Sequence, residues 1–311
     1  MHLKLDLRRR LLVDRGAAKE RAVMALRGGR AATSTVRWSD AQGLEDLAHV
    51  DAGFRGCAGE LALEPGWTRR WTTTWRFGRA PVVYPVRDLA EAEAEIVRSR
   101  PVRRFTWRTG QWHRPGLEYL VSTGRHHGFE SVEEESLLLV ADFAADLTEA
   151  LSQPFRLRFD SAAGLREHTP DFLLLTETGP WLVDVRPGDR IRPEDALKFA
   201  AAAEAALAAG WRYSVVSGWR ENVPELVDAL SAGRRQLSDP LGLQGELLGA
   251  VAAGPLNFGD LVERCSVPAV ARAHAVHLMW HRRLGIDVSV PLTDRSPVRL
   301  APRTAGTGAV A

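Results

Sequence analysis

Two short apolar runs lie in the middle of the chain, at residues 172–175 and 181–185. Each has the length of a β-strand, and the turn signal Thr178-Gly179-Pro180 separates them, so the pattern predicts a β-hairpin. Asp171 directly precedes the first run, and Asp184 lies inside the second. We therefore expect the hairpin to bring two carboxylates together.

Alternation along the second run predicts which of its side chains share a face. Side chains two positions apart on a strand point the same way, so Asp184 and Arg186 should lie on one side while Val183 and Val185 face the core. Two carboxylates and a cation at a sheet edge suit a divalent metal and a phosphate, because hard cations take oxygen ligands and can activate water.

Helices are predicted on both sides of this hairpin. The helix before it opens with an acidic turn, as the helix dipole favours, and Glu130 and Glu134 would share a face four residues apart. The helix after it, residues 193–209, is rich in alanine and is closed by Gly210, and a strand follows at 211–216. The order helix, strand, hairpin, helix, strand predicts an α/β core with a mixed sheet.

A second pattern begins after the linker at residues 238–242. Helices are predicted at residues 244–253, 258–264 and 267–284, and strands at 287–292 and 298–300. Three helices followed by a hairpin are typical of a winged-helix domain. The tail at 301–311 is rich in Gly, Ala and Thr, which favours disorder.

The first 99 residues predict a basic, Trp-rich extension. Trp67, Trp71 and Trp75 alternate with arginines, a mixture that can stack on bases and contact phosphates. The same residues also fit a solvated basic face over core tryptophans. The pattern further predicts a strand at 81–84, a helix at 88–99, and a basic edge strand at 101–108.

Composition excludes several classes of protein. The net charge of the 311 residues is only +2, so no overall field demands a polyanionic partner. Cys57 and Cys265 are too few for a zinc knuckle or a disulfide framework, which favours a reducing, cytoplasmic setting. The sequence has no 18-residue apolar run and no phosphate-binding glycine loop, so we expect neither a membrane span nor an ATP site.

Several motifs recur in an order that is specific when they are taken together. They are Glu-Ser-x-x-Glu at 130–134, Gln153-Pro154-Phe155, Pro170-Asp171-Phe172, Asp184-Val185-Arg186-Pro187 and Gly210-Trp211-x-Tyr213. Over residues 100–300 the chain resembles the TnsA-type endonuclease subunit of heteromeric transposases, a member of the PD-(D/E)XK nuclease fold. The resemblance implies a restriction-endonuclease-like mixed sheet flanked by helices over residues 100–237 and a winged helix over 238–300.

The resemblance also implies an activity and its partners. Such a subunit is a Mg²⁺-dependent DNA endonuclease, with Mn²⁺ able to substitute, that cleaves one strand at transposon ends. It is expected in the cytoplasm, associated with the nucleoid, and it acts together with a DDE transposase and an AAA+ ATPase regulator. Matching the motifs assigns the metal-ligating and catalytic positions to Glu134, Asp171 and Asp184, and a further catalytic position to Arg186.

Three other side chains are candidates for accessory roles. Glu130 precedes Glu134 by one helical turn, Gln153 belongs to a motif of the resemblance, and His168 lies three residues before Asp171. A histidine near a metal site can shuttle protons at neutral pH, although surface placement of His168 is equally compatible with the sequence.

Arg186 departs from the pattern of the family, which has lysine there. Arginine stays protonated and can only stabilise negative charge, whereas lysine can lose its proton. Only three of the 41 basic residues of this chain are lysine, so the exchange follows its composition. Two alternatives to the transposase subunit remain: a catalytically silent adaptor that binds DNA or recruits partners, and a stand-alone defence nuclease of the same fold.

Overall fold

A computed structural model describes residues 36–51, 55–103, 115–144 and 146–302. The predictions for the basic start of the chain, for residues 104–108 of the basic edge strand and for most of the tail lie outside the described residues. Within them, Pro101, Val102 and Arg103 form no strand.

The described residues form a mixed α/β structure. Its strands are β1 (Ala48–Asp51), β2 (Thr72–Arg76), β3 (Pro81–Pro85), β4 (Gly116–Leu120), β5 (Arg125–Phe129), β6 (Leu147–Ser152), β7 (Phe155–Ser161), β8 (Gly164–His168), β9 (Phe172–Thr176), β10 (Gly179–Val185), β11 (Arg212–Trp219), β12 (Leu256–Asn257), β13 (Leu284–Ile286) and β14 (Pro297–Leu300). Its α-helices are α1 (Leu44–Leu47), α2 (Trp67–Arg70), α3 (Glu93–Ile96), α4 (Val132–Phe143), α5 (Pro193–Ala208), α6 (Val223–Ser231), α7 (Leu243–Ala250), α8 (Phe258–Glu263) and α9 (Pro268–Trp280).

The central sheet has five strands in the order β1-β11-β10-β9-β6. Strands β9 and β10 pair antiparallel, with Thr176 opposite Gly179, so the predicted hairpin is confirmed. Gly179 has a φ of +107°, a conformation that glycine adopts without steric cost. Strand β11 pairs parallel with β10 after the α5 crossover, and β1 adds antiparallel to β11. The sheet is therefore mixed, as predicted.

Both faces of this sheet are covered. On one face, the side chains of Phe172, Trp181 and Val183 pack in a core that includes the apolar side of α4. On the other, Leu173 and Leu182 pack against the buried alanines of α5. Val183 and Val185 face a core as predicted, and the opposite face of β10 is also buried because β10 is a central strand.

A second sheet packs against the α5 side and has the order β3-β2-β7-β8. Trp71 and Trp75 are fully buried in this second core, so they are core tryptophans rather than exposed stacking platforms. The pairing of β2 with β7 joins the first 99 residues to the central region of the chain. The helix predicted at 88–99 is shorter in the structure. A 3-10 turn forms at Val86–Asp88, and the α-helix after it, α3, spans only Glu93–Ile96.

The C-terminal segment contains α7, α8 and α9 and a three-stranded sheet in the order β12-β14-β13. The strand predicted at 287–292 is wrong, because the chain forms its strand earlier. Helix α9 ends at Trp280, Arg282 takes a φ of +52°, and buried Leu284 then pairs with Leu300. The hairpin follows the third helix after a turn of three residues.

The C-terminal helices share a core with the central sheet. Trp280 of α9 packs on Phe143 of α4, with ring centroids 5.5 Å apart. Gly233, just after α6, lies against the backbone of His277 in α9. Within the described ranges, no helix is long and apolar enough to cross a membrane.

We predict that Gly233→Ala destabilises the fold by about 1 to 3 kcal/mol, the usual cost of overpacking. A Cβ atom there would lie 2.7 Å from the backbone nitrogen of His277, so α9 would have to shift. The control is Gly245→Ala in α7, where a Cβ atom meets nothing within 4 Å. Alanine there should stabilise the helix by roughly 0.5 to 1 kcal/mol. Urea unfolding of both variants measures the difference, and equal effects would contradict the close contact.

Candidate functional site at the central hairpin

Asp171 and Asp184 lie opposite each other at one end of the hairpin. Val183 pairs with Phe172, so the next step along both strands sets Asp184 opposite Asp171. Directly opposed residues share a face, with Cβ atoms about 4.5 to 5.5 Å apart. The backbone N–H of Val185 donates to Oδ2 of Asp171 at 2.8 Å. The expected approach of the two carboxylates is therefore present.

Asp184 is held by one side chain from the adjacent strand β11 and one from β8 of the second sheet. It is 1% exposed, so its carboxylate requires hydrogen bonds inside the protein. The Tyr213 hydroxyl donates to Oδ2 at 2.8 Å, and Nε2 of His168 lies 3.0 Å from both oxygens. Burial, and then the charge of Asp184, raise the pKa of Tyr213 well above its usual value, so the phenol stays protonated as a donor.

His168, a predicted accessory residue, is thus brought directly to the site. It ends β8 and packs edge-on against Phe199 of α5, with ring centroids 6.0 Å apart. Tyr213 was not singled out as a site residue, although it belongs to the Gly-Trp-x-Tyr motif of the resemblance. Strand β11 sets Tyr213 opposite Leu182, one step along the same face from Asp184, and only the parallel pairing reveals this proximity.

Glu134 sits in the first turn of α4. Its N–H donates to the N-cap hydroxyl of Ser131 at 3.1 Å, and its carboxylate accepts the N–H of Glu130 at 2.8 Å. Ser131 and Glu134 have the spacing of a capping box, although the carboxylate bonds to the N–H of Glu130, one residue before the N-cap, rather than to that of Ser131. Burial raises the pKa of Glu134 to about 7, and the charge of Glu130 adds to the shift.

Glu130 does not share a helical face with Glu134, so that expectation is wrong. Helix α4 begins at Val132 with Ser131 as its N-cap, and Glu130 lies outside it. Its carboxylate is half-exposed and lies 4.0 Å from the guanidinium of Arg103. Its contribution to the site is its backbone N–H and its nearby negative charge.

The charges of two other carboxylates, Asp184 and Glu134, act on Asp171. Burial raises its pKa well above the usual value, and the charges of Asp184 and Glu134 raise it further. The N–H of Val185 opposes the shift. Asp171 therefore interacts electrostatically with both Asp184 and Glu134, and we call these three carboxylates the acidic cluster.

Arg186 does not contact this cluster through any hydrogen bond or ion pair among the described residues. Its guanidinium lies 3.5 Å from Asp195 and its Nε donates to the carbonyl of Arg190 at 3.3 Å. Strand β10 ends at Val185, and the N–H of Arg186 still donates to the carbonyl of Val216 in β11 at 2.9 Å.

Gln153 is placed beside Asp171 on the opposite side from Asp184. It follows β6, and its N–H donates to the carbonyl oxygen of Asp171 at 2.7 Å. The side chain is buried, and its Oε1 accepts no hydrogen bond from the described protein. Of the accessory candidates, Gln153 and His168 thus adjoin the two aspartates.

The oxygen donors suit a hard divalent cation, although the side chains are not arranged as a finished metal site. In the parts of the chain described, no three His, Cys, Asp or Glu side chains are arranged to hold a metal ion. However, Oε1 of Gln153 is buried and accepts no hydrogen bond there, and Mg²⁺ and Mn²⁺ take oxygen ligands. This orphaned oxygen is consistent with a cation as its partner.

Comparison with known proteins leaves these residues to be judged on their own geometry. No family model matches the chain, and no curated protein matches its sequence significantly.

We predict that Glu134→Gln makes stability less dependent on pH. The folded pKa of about 7 exceeds the ordinary 4.5, so the bound proton stabilises the fold fully below about pH 4.5. This stabilisation is lost as the pH rises through 7. The variant should therefore be the more stable protein at pH 8, by up to roughly 3 kcal/mol.

Urea unfolding at pH 5 and pH 8, with chelator present, measures this effect. The control is Glu133→Gln in the same helical turn, whose carboxylate is partly exposed and faces Arg190. Wild type and Glu134→Gln losing the same stability between the two pH values would contradict the buried, protonated Glu134.

We predict that Tyr213→Phe costs about 1.5 to 3 kcal/mol, the usual value of a hydrogen bond to a buried charge. The matched control is Tyr84→Phe, because the Tyr84 hydroxyl donates to Glu95 at 2.7 Å on the exposed surface. That loss should stay within about 0.5 kcal/mol. Thermal unfolding of the two variants distinguishes the environments, and similar losses would argue against the buried network at Asp184.

Proposed function

We propose that the protein is a Mg²⁺-dependent DNA endonuclease, the subunit of a heteromeric transposase that cleaves one strand at transposon ends. Its partners would be a DDE transposase and an AAA+ ATPase regulator, and Mn²⁺ would substitute for Mg²⁺. The observation that carries the proposal is the pairing of Asp171 with Asp184, at a distance from Glu134 at which the charges interact.

The order of the elements around the cluster supports this proposal. Helix α4, strand β6, the β9–β10 hairpin, helix α5 and strand β11 follow the order expected for the restriction-endonuclease-like domain. The acidic residues lie at one end of the hairpin, where the first strand begins and the second ends. The three C-terminal helices and their small sheet are compatible with the proposed winged-helix domain.

The donor set supports the same chemistry. A carboxylate has about four lone-pair sites, so Asp184 can accept from Tyr213 and His168 and still offer an oxygen to a cation. A bound Mg²⁺ ion supplies Lewis-acid stabilisation of a phosphate oxygen. The hydrogen bonds from Val185, Tyr213 and His168 fix both aspartates before substrate arrives.

Proton transfer must use a residue other than Arg186. Arginine remains charged, so its role would be to stabilise the negative phosphate in the transition state.

Two observations favour the silent adaptor as a second candidate. Arg186 is bound to Asp195 and to the Arg190 carbonyl, away from the aspartates. In the described ranges, no three-residue set of metal-ligating side chains is arranged around an ion. A protein of this kind would keep the fold and bind DNA or partners without cleaving.

We predict that wild-type protein, mixed with its partner transposase, cleaves a transposon-end duplex in Mg²⁺ or Mn²⁺, and that Asp171→Asn abolishes cleavage. The amide keeps the shape of the side chain but removes the charge that would hold a cation. The control is Asp189→Asn, an exposed residue of the turn after β10, which should cut at the wild-type rate. Single-turnover cleavage of end-labelled DNA measures all three proteins.

Variants of Arg186 separate the endonuclease from the adaptor in the same assay. Arg186→Lys should preserve or raise cleavage, and Arg186→Ala should reduce it on the order of 10²-fold, as when one transition-state donor is lost. A wild type that is inert with both metals and with its partner, together with an Asp171→Ala variant that still supports integration in cells, would establish the adaptor instead.

A further inference from the structure

Gln153 extends the row of residues that forms the candidate site. Ser152 of β6 pairs with Phe172 of β9, so the next position sets Gln153 opposite Asp171. The 2.7 Å hydrogen bond from its N–H to the Asp171 carbonyl confirms this register. Gln153, Asp171 and Asp184 are therefore neighbours across three adjacent strands.

The backbone of Gln153 is strained. Its φ of +44° lies in the left-handed region, which glycine adopts freely and which other residues rarely enter. Strain of this kind persists only where the surroundings hold it, and it is concentrated at functional sites. A glycine would meet the turn between β6 and β7 at lower cost, so the glutamine side chain calls for a reason.

The side chain adds a second cost. Gln153 is 2% exposed, and its Oε1 is buried without a hydrogen bond from any described residue. Buried acceptors in folded proteins are nearly always satisfied, so this orphaned oxygen calls for a partner that the described residues do not supply, such as a water molecule or an ion. The carboxylates of Asp171 and Asp184 cannot be that partner while ionised, because they carry no proton to donate.

We propose that Oε1 of Gln153 is an additional oxygen ligand of the divalent cation at Asp171 and Asp184. The inference rests on the proposed function, and it assigns to Gln153 a role that the acidic residues cannot fill. A neutral amide oxygen completes the coordination of a hard cation without adding a fourth negative charge to a cluster whose members already repel one another.

The test is direct binding of Mn²⁺ to the full chain without DNA. Titration calorimetry and the electron paramagnetic resonance signal of free Mn²⁺ measure this binding. Gln153→Gly removes the ligand and also relieves the backbone strain. We expect it to weaken Mn²⁺ binding by at least about tenfold, the lower end of the effect of residues that support metal sites. The melting temperature without metal should not fall.

Gln153→Glu should change binding in the opposite direction. An extra carboxylate at a ligand position should tighten Mn²⁺ binding at least several-fold, while it lowers the melting temperature without metal through repulsion by Asp171 and Asp184. Mn²⁺ should then raise the melting temperature of Gln153→Glu more than that of wild type. A purely structural glutamine gives no such opposed pair of effects on metal affinity.

The outcomes separate this inference from the proposed function. Mn²⁺ binding that depends on Asp171, tested with Asp171→Asn, but that is equal in wild type and Gln153→Gly would overturn the ligand role of Gln153 alone. A wild type that binds no Mn²⁺, or binds it equally after Asp171→Asn, would overturn both. Weaker binding by Gln153→Gly joined with tighter binding by Gln153→Glu supports the assignment.

Discussion

The antiparallel pairing of β9 with β10 is the constraint on which the rest of the molecule depends. Its register sets Asp171 opposite Asp184, and its central place in the sheet buries apolar side chains on both faces. If β9 slipped by one residue relative to β10, Phe172 and Leu173 would each point to the opposite face of the sheet. Asp171 would then no longer lie opposite Asp184. The packing that stabilises the fold and the geometry of the candidate site are thus fixed by the same pairing.

The acidic cluster is tolerated because backbone and side-chain donors surround it. Burial, and then repulsion between like charges, raises the pKa values of Asp171 and Glu134. The N–H groups of Val185 and Glu130 and the hydroxyl of Tyr213 offset part of this cost. These donors come from separate elements, so the cluster forms only when helix α4 and strands β9, β10 and β11 are all in place.

The sequence predicted the hairpin, both flanking helices and the approach of Asp171 to Asp184 because each depends on local patterns. It did not predict that residues 48–51 and 72–76 would pair with distant strands, since pairing partners far apart along the chain leave no local signal. Nor did it find the contact between Tyr213 and Asp184, which depends on the parallel register of β11. The strand expected at 287–292 is absent because a strand of only three residues, Leu284–Ile286, forms earlier in the chain and pairs with β14.

The position of Arg186 favours the adaptor only weakly. Its ion pair with Asp195 spans 3.5 Å, and the arginine side chain is 41% exposed, so the pair contributes less than about 1 kcal/mol. A DNA phosphate offers arginine a stronger, bidentate partner and can displace so weak a contact. The protonation of arginine, in contrast, does not change with its rotamer. The decisive chemistry therefore lies in the buried carboxylates, whose neighbours are fixed, rather than in the exposed guanidinium of Arg186.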